Sequence, residues 1–139
     1  MSIWFDNYTV EDIVTKDTMV EHLGIEVTEL GDDYVVGTMP VDKRTKQPFG
    51  ILHGGASVAL AETLASYAGF LTIDPEKYHV VGVEINANHL KMAKKGLVTG
   101  KCSPIKRGHS TQVWQTEITN DDGELVCISR ITLMILEKR

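Results

Sequence analysis

Apolar and polar residues alternate from Gly24 to Glu29 and again from Asp33 to Pro40, with Gly31-Asp32 between the two runs. A period of two marks a half-buried strand and a glycine-aspartate step is turn chemistry, so this stretch predicts a hairpin. Between Gly50 and Phe70 the pattern changes. Good helix formers follow His53-Gly54-Gly55 without a proline or a strand-like alternation. They predict a helix of roughly 18 residues, about 27 Å long at ~1.5 Å per residue. After the turn at Asp74-Pro75-Glu76, four further strands are expected, over about 79–90, 97–106, 111–119 and 124–136. Lys94-Lys95-Gly96 separates the first two, and Asn120-Asp121-Asp122-Gly123 is a strong hairpin signal between the last two. Near the start of the chain, Thr9 and Asp12 have capping-box spacing, which predicts a short N-terminal helix over residues 9–20. Two strands, one long helix and four strands imply a single α+β domain over residues 1–139, an antiparallel six-stranded sheet wrapped around one central helix.

The long helix carries the candidate chemistry. At 3.6 residues per turn, Ala56, Leu60, Leu64, Tyr67 and Leu71 share one face, which predicts core. Gly55, Ala59, Glu62, Ser66 and Gly69 share another, a stripe of small residues around the one acid in residues 47–69. An unpaired carboxylate on a helix that is apolar nearly all round is costly to bury, or else takes up a proton. The helix dipole does not account for Glu62, because that effect fades within the first turn and this residue lies about nine residues in. A plain surface position is the other bland account, yet Ala61 and Thr63 provide no polar face for it. Just upstream, Gln47 offers an amide, His53 an imidazole, and Gly54-Gly55 bare backbone N–H groups at a helix N-terminus, where negative charge is stabilised. A carboxylate facing such donors has the parts needed for acyl transfer.

Composition narrows the setting. With 42% hydrophobic and 24% charged residues, the 139-residue chain reads as an ordinary soluble protein with one modest core. The only long apolar stretch is the central helix, and its Glu62 and glycines argue against a membrane span. The opening MSIWFDNYTVED lacks the basic region and apolar core of a secretory signal. Cys102 and Cys127 are isolated in expected strands, so a reducing, cytoplasmic home with two buried thiols is the default. His22, His53, His79, His89 and His109 show no paired ligand spacing, and no metal is expected.

Charge adds a second candidate region. The net charge is −5, yet no acid falls between Glu84 and Glu117, while Lys91, Lys94, Lys95, Lys101, Lys106 and Arg107 all do. A basic stretch on an acidic protein points to an anionic ligand rather than to nucleic acid, which favours a domain basic overall. A strand edge guarded by lysines is the alternative. Within it, Arg107-Gly108-His109-Ser110-Thr111 combines a guanidinium, a flexible backbone and two hydroxyls, a fair phosphate grip. His89 is expected on the strand face of Val83, Ile85 and Ala87, opposite Glu84, Asn86 and Asn88, where a lone histidine is more often core than ligand. Trp4 and Trp114 read as packing or interface aromatics, and Arg130 as a partner of an internal acid or of a ligand.

The segment from Met39 to Gly69, with MPVDKRTKQPFG and HGGASVALAETLASYAG, closely resembles the hotdog-fold acyl-CoA thioesterases. The nearest branch is that of 4-hydroxybenzoyl-CoA and 1,4-dihydroxy-2-naphthoyl-CoA hydrolases. Further matches are VVGVEINANHL (80–90), QVWQTEI (112–118) and SRITL (129–133), so the resemblance weakens only before about His22. The combination of Gln47, His53-Gly54-Gly55 and Glu62 at these spacings makes it specific. It implies that the Gly54 N–H polarises a thioester carbonyl, with Gly55 beside it and Gln47 and His53 positioning the oxygen or the sulfur side. Glu62 then attacks the carbonyl or serves as general base for water, a choice the sequence leaves open, and Ser66 orients the carboxylate or the water. By the same resemblance, His89 lies at a ligand-proximal strand end, and the loop of Arg107, Gly108, Ser110 and Thr111 meets the nucleotide of coenzyme A. No separate cofactor is implied, coenzyme A being part of the substrate. The expected assembly is a homo-oligomer, a dimer or a dimer of dimers, with each site shared between chains and an aromatic acyl group favoured, as in menaquinone biosynthesis. Two rivals remain, a hotdog acyl-thioester dehydratase and a non-catalytic acyl-CoA-binding module. The spacing of Asp74 and His79 matches a hydratase element but follows the helix instead of preceding it.

Overall fold

The computed structural model describes all of residues 1–139. A one-turn helix, α1 (Met19–His22), precedes strands β1 (Glu26–Leu30) and β2 (Val35–Pro40). The long helix α2 (Gly54–Leu71) follows, then β3 (Tyr78–His89), β4 (Leu97–Arg107), β5 (Thr111–Thr119) and β6 (Leu125–Glu137). All six strands form one antiparallel sheet in the order β1-β2-β4-β5-β6-β3, which leaves β1 and β3 as its edges. The sheet curls round α2, which packs on β2 through β6. This is the hotdog architecture that the resemblance implies.

Small residues at the centre of the sheet let the helix in. A Cβ built on Gly37 would lie 2.7 Å from one methyl of Leu64, and one on Gly100 would lie 2.8 Å from the other. Leu64 and Leu60 are completely buried there with Met39, Val98 and Ile118. The far end of the helix is fastened by a polar chain. Trp114 Nε1 donates to Gln112 Oε1 at 2.9 Å, and the Gln112 amide donates to Thr72 Oγ1 at 2.8 Å, just past the last turn of α2. Trp4 stacks on Trp114 with ring centroids 6.4 Å apart and donates to the Gly31 carbonyl, so both tryptophans serve packing. No helix is long and apolar enough to cross a membrane.

Three sequence expectations are corrected. Residues 9–20 do not form one helix; a 3-10 turn at Val10–Asp12 and the single turn of α1 stand in its place. The Thr9 N–H does bond the Asp12 carboxylate at 2.7 Å, but the chain turns extended at Ile13. The Val14 carbonyl accepts from the Tyr67 hydroxyl at 2.7 Å, which takes it out of any helical ladder, and Asp17 adopts a positive φ of 60°. A bulge between Gly82 and Glu84 also makes Val83 an extra residue of β3, so Val83 turns outward and is 55% exposed. Gly82, not Val83, then shares the inward side with Ile85, whose strand partner Ile131 is buried. Finally Tyr67, placed in the core by its helical period, is only half buried, because it reaches sideways to the N-terminal segment.

Candidate active site

The loop from β2 to α2 is rigidly built. Buried Thr45 donates to the Pro40 carbonyl at 2.7 Å, accepts from the Asp42 N–H at 3.1 Å, and through its own carbonyl accepts the His53 N–H at 2.8 Å. Asp42 pairs with Arg44 at 2.6 Å, and hydrogen bonding from that guanidinium holds its carboxyl at about 2. Beyond it, the Gln47 N–H donates to the Ile51 carbonyl and the Gly50 N–H to the Gln47 carbonyl, both at 2.9 Å, with Gly50 at a φ of 81°. The Gln47 Oε1 accepts the Phe49 N–H. The amide NH₂ of Gln47 is thereby the group left to donate elsewhere.

His53 caps α2. Its Nδ1 accepts the Gly55 N–H at 2.8 Å, which puts the imidazole proton of the neutral ring on Nε2. Of the two glycine N–H groups offered by the sequence, Gly55 is thus engaged and Gly54 is free, since the first turn of a helix has no internal acceptor for it. Gln47, Gly54, His89 and Val126 line one cavity of about 510 Å³. His89 is exposed and rests on the helix start: a Cβ on Gly54 would lie 2.9 Å from its Nε2. The structure therefore brings Gln47, Gly54 and His89 together at the positive end of α2.

Glu62 is not among them. It lies eight residues further along α2, about 12 Å at ~1.5 Å per residue. There it borders a separate cavity of about 360 Å³ with Ser66, Thr63, Ala59 and Tyr67 of α2 and Met19 and Val20 of α1. Contrary to the expectation of a buried acid, Glu62 is exposed in the single chain, and none of the three ion pairs involves it. Its carboxylate lies over Gly82, where a Cβ would sit 3.1 Å from Oε2.

The loop after β4 lies at the other end of the helix. Arg107 and Gly108 line a third cavity, about 360 Å³, with Thr72, Asp74 and Gln112 at the C-terminal end of α2. The turn is tight, since the Gly108 N–H donates to the Thr111 carbonyl at 2.8 Å and a Cβ on Gly108 would stand 2.8 Å from that same oxygen. The Ser110 carbonyl accepts the Ile135 N–H at 2.8 Å, which leaves its exposed side chain outward. The basic stretch does not converge on one patch. Lys91 is paired with Glu124 at 3.2 Å, Lys101 stands 4.4 Å from the centre of the Tyr34 ring, and Lys94 and Lys95 border Asp121 and Asp122. An extended strand such as β4 carries its ends about 33 Å apart, which separates Lys94 and Lys95, just before its start, from Lys106 and Arg107 at its end. Arg130 is exposed opposite Asn86 and reaches no internal acid.

Sequence reasoning missed Met19, Val20 and Gly82. The first two meet α2 only through tertiary packing, whereas an isolated glycine inside a strand pattern is itself a bulge signal.

The model of the thioesterase superfamily matches residues 49–127. The chain belongs to that superfamily. It is a thioester hydrolase, and its relatives align over nearly its whole length. It is 50% identical to 1,4-dihydroxy-2-naphthoyl-CoA hydrolase of Escherichia coli over 96% of this chain and 99% of that protein. A crystal structure of a Haemophilus influenzae thioesterase superposes with a TM-score of 0.94 at 46% identity, over 97% of this chain and 95% of that one. A Staphylococcus aureus thioesterase, solved as a glutamine-to-alanine mutant, superposes with a TM-score of 0.82 at 43% identity, over 84% of this chain and 97% of that one. The same protein has been solved as a glutamate-to-alanine mutant, and its two altered positions are fifteen residues apart. Gln47 and Glu62 have that same separation here.

Proposed function

We propose that the protein hydrolyses an acyl-CoA thioester to the free acid and coenzyme A at a site built by two copies of the chain. The observation that carries this reading is the separation of the donors around Gly54 from Glu62 along α2, about 12 Å within one copy. A thioester carbonyl spans barely more than 1 Å, and its carbon must lie about 3 Å from an attacking group. Within one copy the donors and the acid also open onto separate cavities, whereas two copies packed with their helices side by side can present both to one carbonyl. The open edge β3 and the small-residue stripe of α2 suit such an assembly, because a second copy satisfies free backbone groups and can approach the stripe closely.

In this arrangement the Gly54 N–H, at the positive end of α2, receives the carbonyl oxygen as negative charge develops on it. The Gln47 amide and the His53 Nε2–H hold the oxygen or the sulfur side. Glu62 of the second copy either attacks the carbonyl carbon, giving a mixed anhydride that water then cleaves, or takes a proton from water as it attacks. Either route consumes one water, breaks the carbon–sulfur bond and releases acid and thiol. Ser66, one turn beyond, orients the carboxylate or the water. Arg107, Gly108, Ser110 and Thr111 receive the phosphates of the nucleotide. The name of the Escherichia coli relative supports an aromatic acyl group, the naphthoyl thioester of menaquinone biosynthesis among them. The two reduced, buried cysteines accord with a cytoplasmic setting.

Thiol release from benzoyl-CoA, followed for the native protein and for Glu62→Gln, tests this reading. Turnover by the native protein and a loss of about 100-fold or more in the folded variant are expected. Binding without release would make the protein a carrier module, and loss of water from a 3-hydroxyacyl-CoA without release would make it a dehydratase. A variant keeping more than about a tenth of the activity would remove Glu62 from the mechanism.

A further inference from the structure

We infer that Phe49 of one copy closes the apolar chamber beside Glu62 of the other, and that it thereby selects aromatic acyl groups. The inference rests on the shared-site reading. Phe49 is 89% exposed at the tip of the Gln47 loop. It is nevertheless held in place, by its N–H on the Gln47 Oε1 and by the turn that the Gly50 N–H closes on the Gln47 carbonyl. Two residues span at most about 7 Å, so wherever Gln47 goes Phe49 follows within that distance. If Gln47 of one copy meets the carbonyl that Glu62 of the other attacks, Phe49 arrives at the chamber bordering Glu62.

That chamber lacks a wall. Met19 and Val20 of α1 form one side, Ala59 and Tyr67 of α2 another, and Glu62 and Ser66 stand at its rim. The α1 side is pinned, because the Tyr67 hydroxyl holds the Val14 carbonyl at 2.7 Å and so seats the segment leading into α1. The exposure of Glu62 and of Met19, the latter 66%, leaves the space open to solvent in a single copy. The acyl group is bonded directly to the carbon that Glu62 must reach, and this chamber of about 360 Å³ borders that acid, which makes it the space offered to the acyl group. An incoming phenyl ring supplies the missing apolar surface and can stack on an aromatic acyl group, a contact of no use to a two-carbon one.

Mixed oligomers of the full chain test this. One chain carries Gln47→Ala with His53→Ala and the other carries Glu62→Gln, so the only intact sites combine the second chain's loop with the first chain's Glu62. Phe49→Ala is then added to one chain or the other, and thiol release from benzoyl-CoA and acetyl-CoA is compared. On the Glu62→Gln chain it is expected to lower kcat/KM for benzoyl-CoA about tenfold, the scale of a lost apolar contact in a substrate pocket, and to change acetyl-CoA far less. Phe49→Trp on that chain should keep the preference for benzoyl-CoA. On the other chain Phe49→Ala falls at a site already dead, so the ratio between the two substrates should not move. Equal effects from both placements, or none from either, would overturn the inference and leave the shared site standing. Mixtures that are inactive before Phe49 is changed would overturn both.

Discussion

The Nδ1 of His53 accepts the Gly55 N–H at 2.8 Å, so one imidazole caps α2 while its Nε2–H and the neighbouring Gly54 N–H stay free to donate. Capping and carbonyl positioning are thereby loaded onto a single side chain. His53→Ala should lose both, destabilising the fold by about 1 kcal/mol, the usual worth of an N-cap, and lowering turnover as well. His53→Asn keeps a good cap but moves the second donor, so its urea midpoint should stay near that of the native protein while kcat falls. If the alanine variant unfolds at the native midpoint, the cap contributes nothing.

Arg107 ends β4 at the C-terminal end of α2, exposed and outside every ion pair of the chain. A phosphate contact so far from the carbonyl is present in ground and transition states alike, so Arg107→Ala should raise KM for an acyl-CoA more than it lowers kcat. A truncated thioester without the nucleotide should be indifferent to the change. Equal losses on both substrates would assign Arg107 a structural role.

Burial pushes the Cys102 thiol up to about 12 from its ordinary 9.0. The folded chain then holds this proton over a range in which the unfolded chain has released it, so the unfolded state binds fewer protons there. Stability should be unaffected by this group below about pH 9 and should fall as the pH rises from there toward about 12. Urea unfolding of the native protein and of Cys102→Ala at increasing alkaline pH checks it, with the native curve falling more steeply. Parallel curves would contradict the assignment.

The regular elements were legible because their periods are clean and their ends are punctuated. The helix expected to run to about Phe70 ends at Leu71, and the last hairpin turns at Asn120 to Gly123. Tertiary effects were not legible. The capping box at Thr9 is present as the local pattern implies, yet a bond from Tyr67, 53 residues away, decides that no long helix follows. One inserted residue at Val83 reverses the parity of the strand, which a strict period of two cannot anticipate. The dispersal of the basic run was not legible for a related reason, since neighbours in sequence are carried apart along an extended strand. At the site, residue types and spacings pointed to Gln47, Gly54 and Glu62. The two-turn spacing of Gly54 and Glu62 on one helix was legible as well, but not that the donors and the acid open onto separate cavities of the single chain.

That separation makes the two-copy site the central claim, and subunit mixing measures it directly. The double variant Gln47→Ala with His53→Ala and the single variant Glu62→Gln should each be nearly inactive alone. Refolded together in equal amounts, random pairing places half of the chains' partners across types, and each mixed pair holds one intact site and one carrying every lesion. Thiol release should return to about one quarter of the native rate per chain, the share expected of a symmetric pair. No regain in oligomers verified to be mixed, or full activity in a monomer by light scattering, would contradict the account.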